Sequence, residues 1–275
     1  MKRGCDSDAI IAPVEAAEYL GLTPTRNPRR WRLPVVESLT TPQGTLVGGV
    51  ALGAAATALE AITGRPLVWA TAQYLSHAEP PSTVELDLVV AVVGKQTTQA
   101  RAIGSVDGIE IFTVNAAFGQ RPLDLRGTWV ERPDVPPSSE FETVQLPEEV
   151  RSRLTGRMEL RVAGEDGLTS VAGHGRIAIW ARVPDLAPCS ALLAVLGDMV
   201  PFGIRRVMGM RGSGVSLDNT LRVSRLVPSD WVLLDIRVHA VEHGFGYGAV
   251  HLWAESGKLL GTASQSVIIH PPEGY

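Results

Sequence analysis

The stretch His239-Ala240-Val241-Glu242-His243 matches the HxxEH arrangement in which two imidazoles and a carboxylate serve a zinc peptidase. That chemistry needs a helix, where residues four apart share a face within reach of one ion. Here the motif closes a segment that alternates from Val232 onward, which predicts a strand. On a strand, residues four apart lie about 13 Å from each other at roughly 3.3 Å per residue, too far to share a metal. No metal site is expected. The glycines at 244, 246 and 248 form a GxGxG run, but it follows that strand and leads into another at Ala249 to Ala254. A dinucleotide fingerprint needs a helix after its glycines, so a turn or bulged strand is expected instead. The chain has no GxSxG elbow and no GK[ST] phosphate loop, which leaves serine-hydrolase and nucleotide chemistry without a foothold. No cofactor is expected.

The elements that would position any other chemistry are legible as a repeat. Val84, Leu86, Leu88, Val90 and Val92 alternate with Glu85 and Asp87. At an offset of 148 residues Val232, Leu234, Ile236, Val238 and Ala240 alternate with Leu233, Asp235, Arg237 and His239. Period-two alternation predicts antiparallel strands with one core-facing side. In the first copy, Arg101-Ala102-Ile103 runs through a turn at Asp107-Gly108 into Ile109 to Phe118. In the second, Ala249 to Ala254 turns at Ser256-Gly257 and returns as Lys258 to Ile269. Upstream of each set lies one helical segment. Gly48 to Leu59 is rich in small residues, and Leu186, Cys189, Leu193 and Leu196 fall at helical spacing until Pro201 stops the run. A further strand precedes each helix, at Trp31 to Val36 and Arg176 to Val183. The order strand, helix, strands, met twice, predicts an α+β fold in which each of two modules curls an antiparallel sheet around one central helix. Residues 1–120 form the first module and 156–275 the second. Between them, residues 121–155 carry Pro122, Pro133, Pro136, Pro137 and Pro147 among acids and serines, a linker composition.

Composition narrows the function. The 275 residues carry a formal net charge of -4 with Lys and Arg scattered, so no basic stripe exists to track nucleic acid. Two basic residues open the chain, but acids follow where a signal peptide needs an apolar core. The longest apolar stretch, Leu46 to Ile62, is mostly Gly and Ala and includes Thr57 and Glu60, short of a membrane span. Cys5 and Cys189 make neither a CxxC pair nor a disulfide framework. A cytoplasmic location is expected.

The duplicated pattern resembles the bacterial acyl-CoA thioesterase II family, whose members fuse two hotdog modules in one chain. The likeness spans roughly residues 20 to 270. It is carried by Val47-Gly48-Gly49, by Ala191 to Asp198, by Ser216-Leu217-Asp218-Asn219, by Asp230 to Leu234, and by Ala263-Ser264-Gln265-Ser266.

The resemblance implies an acyl-CoA substrate, a double-hotdog fold, assembly as a homo-oligomer, and a water held against the thioester carbonyl by Asp198, Ser216 and Gln265. A carboxylate can take the water's proton while a hydroxyl and an amide fix its direction. Gly48 and Gly49, at the start of the first helix, are the implied substrate-binding and oxyanion positions. Each residue also has a plainer reading. Asp198 would oppose its own helix dipole, Ser216 can simply start a strand, Gln265 needs a partner between Ala263 and Val267, and the glycines can serve packing. Arg205-Arg206 could meet CoA phosphates or merely face solvent. Two positions depart from the family pattern: Ala72 stands where a His is common, and Val50 where a Gln follows the glycines. An acyl-CoA or lipid-binding module and a hotdog hydratase or dehydratase are the alternatives, the latter without its Asp-x-Asn-Pro-x-x-His run.

Overall fold

The computed structural model describes residues 13–163, 175–184, 186–209 and 213–270. A short helix α1 (Pro13–Leu20) leads to β1 (Thr23–Pro24) and β2 (Arg30–Val35). The long helix α2 (Gly48–Thr63) is followed by β3 (Leu67–Tyr74), β4 (Ser82–Val93), β5 (Thr97–Val106) and β6 (Ile109–Gly119). After one helical turn, α3 (Glu148–Arg151), the order recurs. It runs β7 (Glu159–Val162), β8 (Arg176–Arg182), α4 (Ser190–Gly197), α5 (Val200–Met208), β9 (Ser213–Ser216), β10 (Asp218–Val223), β11 (Val232–Glu242), β12 (Phe245–Ala254) and β13 (Leu259–His270).

All described strands join one sheet in the order β1-β2-β4-β5-β6-β3-β10-β13-β12-β11-β8-β7, with β9 added to β13. Every ladder is antiparallel. The fold is α+β, a double hotdog. The repeat goes deeper than the alternation suggests, because the ladder irregularity between Val90 and Val92 in β4 recurs between Val238 and Ala240 in β11, at the same offset. The expected hairpins also form, with Asp107 and Gly108 at φ 51° and 81° and Gly257 at 77°. The halves meet where β3 pairs with β10, Thr71 opposite Thr220, and their hydroxyls lie 2.7 Å apart. These threonines occupy equivalent places in the two halves, so the seam has the self-complementary character of a two-fold interface.

Both central helices are enclosed. Residues Gly49 to Leu59 of α2 are buried, and so are all eight of α4, as the all-round apolar composition requires. The helices pack on each other in opposite directions, Gly53 against Ala191 and Gly49 against Ala194 and Asp198. A Cβ on Gly49 would lie 2.6 Å from the Ala194 carbonyl oxygen, so only glycine permits this approach.

Three expectations change. Pro201 does not end the helical region; it sits in the first turn of a second helix, α5. Its ring would collide with the Gly197 carbonyl in a continuous helix, which breaks the run at Asp198-Met199 and lets a new one begin. Gly246 and Gly248 belong to β12, which starts at Phe245 rather than Ala249, while Gly244 takes the turn at φ 79°. Finally, the outward side of β11 is not solvated throughout. Leu233 and Asp235 are fully buried. The proline-rich segment lies across that face, with Val135 and Phe141 packed on Trp180, Trp231, Leu233 and Trp253, and the Pro136 carbonyl accepting from Trp180 Nε1 at 3.0 Å. Beside it Asp235 receives bidentate bonds from Arg176 (2.6 and 3.0 Å) and two more from Arg237 (3.1 and 2.7 Å), all to one carboxylate.

Candidate active site

The break between α4 and α5 presents a carboxylate. Asp198 caps the C-terminus of α4 with φ -84° and ψ 38°, outside the helix, and its side chain reaches the start of α2. There the N–H of Gly49 donates to Asp198 Oδ2 at 2.6 Å. The N-cap of α2, Val47, has no side-chain acceptor. Asp198 therefore supplies from another helix what a Ser or Asp at position 47 would supply locally.

Gln265 organises the rest. It lies on the inward face of β13, 3% exposed. Its Nε2 donates to Asp198 Oδ1 and, at 2.8 Å, to Ser216 Oγ. Its Oε1 accepts from the Val200 N–H at 3.1 Å, which is the first residue of α5 and has no acceptor within its own helix. That donor fixes the amide's orientation, since only the oxygen can face it. Ser216 ends β9, opposite Val267 of β13. The structure thus brings Asp198, Ser216 and Gln265 together, with Gly49 bonded to the same carboxylate.

Burial pushes the Asp198 carboxyl up from its ordinary 3.8 to about 6, against the hydrogen bonds from Gly49, Gln265 and Ser216, which act to lower it. A carboxylate so tuned is ionised at neutral pH yet basic enough to accept a proton. Its charge opposes the dipole of α4 but lies on the positive end of α2, so the second helix compensates the first.

Gly48 opens α2 and touches a residue that motif reasoning did not single out. A Cβ there would lie 2.8 Å from Tyr74 Oη. Tyr74 closes β3, two residues beyond Ala72, and Ala72 faces Asn219 across the seam. Asn219 was visible only as part of the Ser216-Leu217-Asp218-Asn219 run, and Tyr74 only as the end of a strand. A cleft of about 440 Å³ runs along this seam, with Ala72, Tyr74, Leu217 and Asp218 in its wall; the trio itself does not line it. Arg205 and Arg206 are exposed in the last turn of α5. His239 is exposed at the end of β11 and His243 in the turn after it, and no cluster of metal-ligating side chains occurs among the described residues. No helix among them is long and apolar enough to cross a membrane.

Comparison with known proteins agrees with this architecture. A candidate thioesterase from Novosphingobium aromaticivorans is 29% identical with a TM-score of 0.82, covering 90% of this chain and 98% of its own. A hot dog fold protein of unknown function from Alicyclobacillus acidocaldarius is 17% identical with a TM-score of 0.81, covering 94% and 98%. An acyl-CoA thioesterase II from Mycobacterium marinum is 18% identical with a TM-score of 0.75, covering 94% and 100%. At those lower identities the last two share the fold. No curated protein matches the chain. The family model described as the acyl-CoA thioesterase C-terminal domain matches residues 132–269, half of the sequence. With its duplicated hotdog architecture, the chain belongs to the acyl-CoA thioesterase family.

Proposed function

We propose that this protein hydrolyses acyl-CoA thioesters to free acid and CoA, using one water activated by Asp198, Ser216 and Gln265. The observation that carries the reading is the Gln265 amide joined to Asp198 and Ser216 at once, beside a carboxyl whose pKa lies near 6. In this reading Asp198 takes a proton as the water oxygen attacks the carbonyl carbon. The carbonyl π pair moves onto its oxygen, and collapse of the tetrahedral intermediate breaks the C–S bond. The departing CoA thiolate recovers the proton from Asp198, so no covalent enzyme intermediate forms. Ser216 accepts from Gln265 and turns its hydroxyl hydrogen toward Asp198, which leaves one oxygen lone pair to accept from the water and direct it. Gly49 holds the carboxylate in place, and its N–H is occupied in doing so.

A chain-length panel of acyl-CoA thioesters, read by release of free thiol, tests the proposal. Turnover by the wild type and its loss in Asp198→Asn is the expected pair of results. Binding of every thioester with no thiol released would turn the assignment toward an acyl-CoA-binding module, and water addition to an enoyl-CoA toward a hydratase.

A further inference from the structure

We propose that Tyr74 and Asn219, together with the N–H of Gly48, hold the thioester carbonyl oxygen as it takes on negative charge. The inference rests on the hydrolytic reading above and assigns the electrophilic half of that site. Asp198, Ser216 and Gln265 account for the water; nothing among them is placed to receive the oxyanion. The Gly49 N–H, the obvious donor at the start of α2, is already committed to Asp198 Oδ2.

The polar atoms left over converge beside it. Tyr74 Oη and both amide atoms of Asn219 are sealed from solvent; the Asn219 amide lies beside the phenol as a hydrogen-bonding neighbour, and neither side chain has a well-formed hydrogen bond to any other described residue. Asn219 is fully buried on the inward face of β10. A buried hydroxyl or amide without its full hydrogen bonding costs stability, and where the buried Gln265 and Asp235 are fully bonded Tyr74 and Asn219 are not, so their retention needs a purpose. The two residues come from facing strands across the seam, with Asn219 opposite Ala72 and Tyr74 two positions further along β3. Tyr74 Oη abuts Gly48, the first residue of α2, whose N–H has no acceptor within its helix. The phenol therefore meets the positive end of the helix at the point where an oxyanion is best stabilised.

Two further observations agree. Burial, and then the charges of Asp198 and Asp218, push the Tyr74 phenol well above its ordinary pKa, with the neighbouring Asn219 amide acting the other way. Tyr74 thus stays protonated and can donate. Tyr74 and Ala72 also border the cleft along the seam, whose other lining residues belong to the same two strands and their neighbours. As the water oxygen bonds to the carbonyl carbon, the oxyanion accepts from Tyr74 O–H, Gly48 N–H and Asn219 Nδ2. When the C–S bond breaks, the carbonyl re-forms and these donors are released unchanged.

The experiment compares wild type, Tyr74→Phe, Asn219→Leu and Asp198→Asn across the acyl-CoA panel, with kcat and KM resolved and thermal melting followed in parallel. Loss of one such donor is expected to lower kcat by about 10²-fold in Tyr74→Phe and about tenfold in Asn219→Leu, with KM within about threefold of wild type. Tyr74→Phe should melt close to wild type, because the buried hydroxyl it removes has no well-formed hydrogen bond to lose. A loss of rate without a loss of stability separates this role from a structural one. Should Tyr74→Phe not fold, Asn219→Leu carries the decision alone. Full kcat in a folded Tyr74→Phe, while Asp198→Asn is inactive, overturns the oxyanion assignment and leaves the hydrolytic reading standing. No thiol release by the wild type overturns both.

Discussion

Asp198 accepts a hydrogen bond from the backbone N–H of Gly49 at 2.6 Å, so the carboxylate at the end of one central helix caps the beginning of the other. This bond joins the two halves at their centres, across 149 residues of sequence. It also explains how a negative charge is tolerated where its own helix dipole opposes it, because α2 contributes the compensating positive end. Under the proposed mechanism stability and chemistry share this one carboxylate, and the following expectations separate them.

Asp198→Asn should lower kcat by about 10²-fold or more, since the amide cannot take the water's proton. In the wild type, kcat/KM should rise with pH through a midpoint near 6, where Asp198 ionises in the folded protein. A rate that is flat from pH 5 to 7 (a range of about two units around that value) would show that this carboxyl is not the base.

The same shift predicts the sign of a stability effect. The folded pKa, about 6, exceeds the ordinary value of 3.8, so folding favours the protonated form. Its stabilising contribution is complete below pH 3.8 and is lost as pH rises through about 6, opposite to a salt-bridged carboxylate. Denaturant titrations of wild type and Asp198→Asn between those pH values should diverge, with only the wild type losing this part of its stability on the alkaline side.

Gly49→Ala places a methyl carbon 2.6 Å from the Ala194 carbonyl oxygen and 2.8 Å from Asp198 Cβ. Neither neighbour is a flexible side-chain tip, so α2 and α4 must separate. We expect a destabilisation of about 2 kcal/mol, within the usual span for overpacking, together with reduced turnover because the carboxylate loses its anchor. Equilibrium unfolding in urea measures the first, and thiol release the second.

Gln265→Ala removes the group that pairs with Asp198, Ser216 and the Val200 N–H together. The buried Val200 donor is then left without its acceptor, at a cost of about 1–3 kcal/mol. The chemical step should fall more than substrate binding, so kcat should drop while KM changes little. An unchanged kcat with raised KM would make Gln265 a binding residue instead.

Asp235→Asn probes a charge cluster remote from the proposed chemistry. Asp235 is fully buried and bonded to two arginines that keep about a third of their side-chain surface in solvent. Breaking a buried ionic network typically costs about 3–5 kcal/mol; the exposed guanidinium edges place this case near 3. Turnover of the folded variant should match wild type, and melting temperature reports the loss.

Length, alternation and turn residues were sufficient to read the strands, because side-chain period and backbone turn chemistry are local properties. Val84 to Val92, Val232 to Ala240, Asp107-Gly108 and Gly257 all show this, and their common offset revealed the duplication. The burial of Leu233 and Asp235 was not legible, since what covers a sheet's outer face is decided by a segment nearly a hundred residues away. Pro201 looked like a stop because the sequence records the break in a helix but not whether another follows. At the site, residue type and family likeness singled out Asp198, Ser216, Gln265, Gly48 and Gly49. Sequence alone could not say that Asp198 would occupy the Gly49 N–H, nor that Tyr74 and Asn219 would meet behind Gly48. Those contacts cross the seam between the halves, and only the packing of α2 on α4 and of β3 on β10 sets such distances.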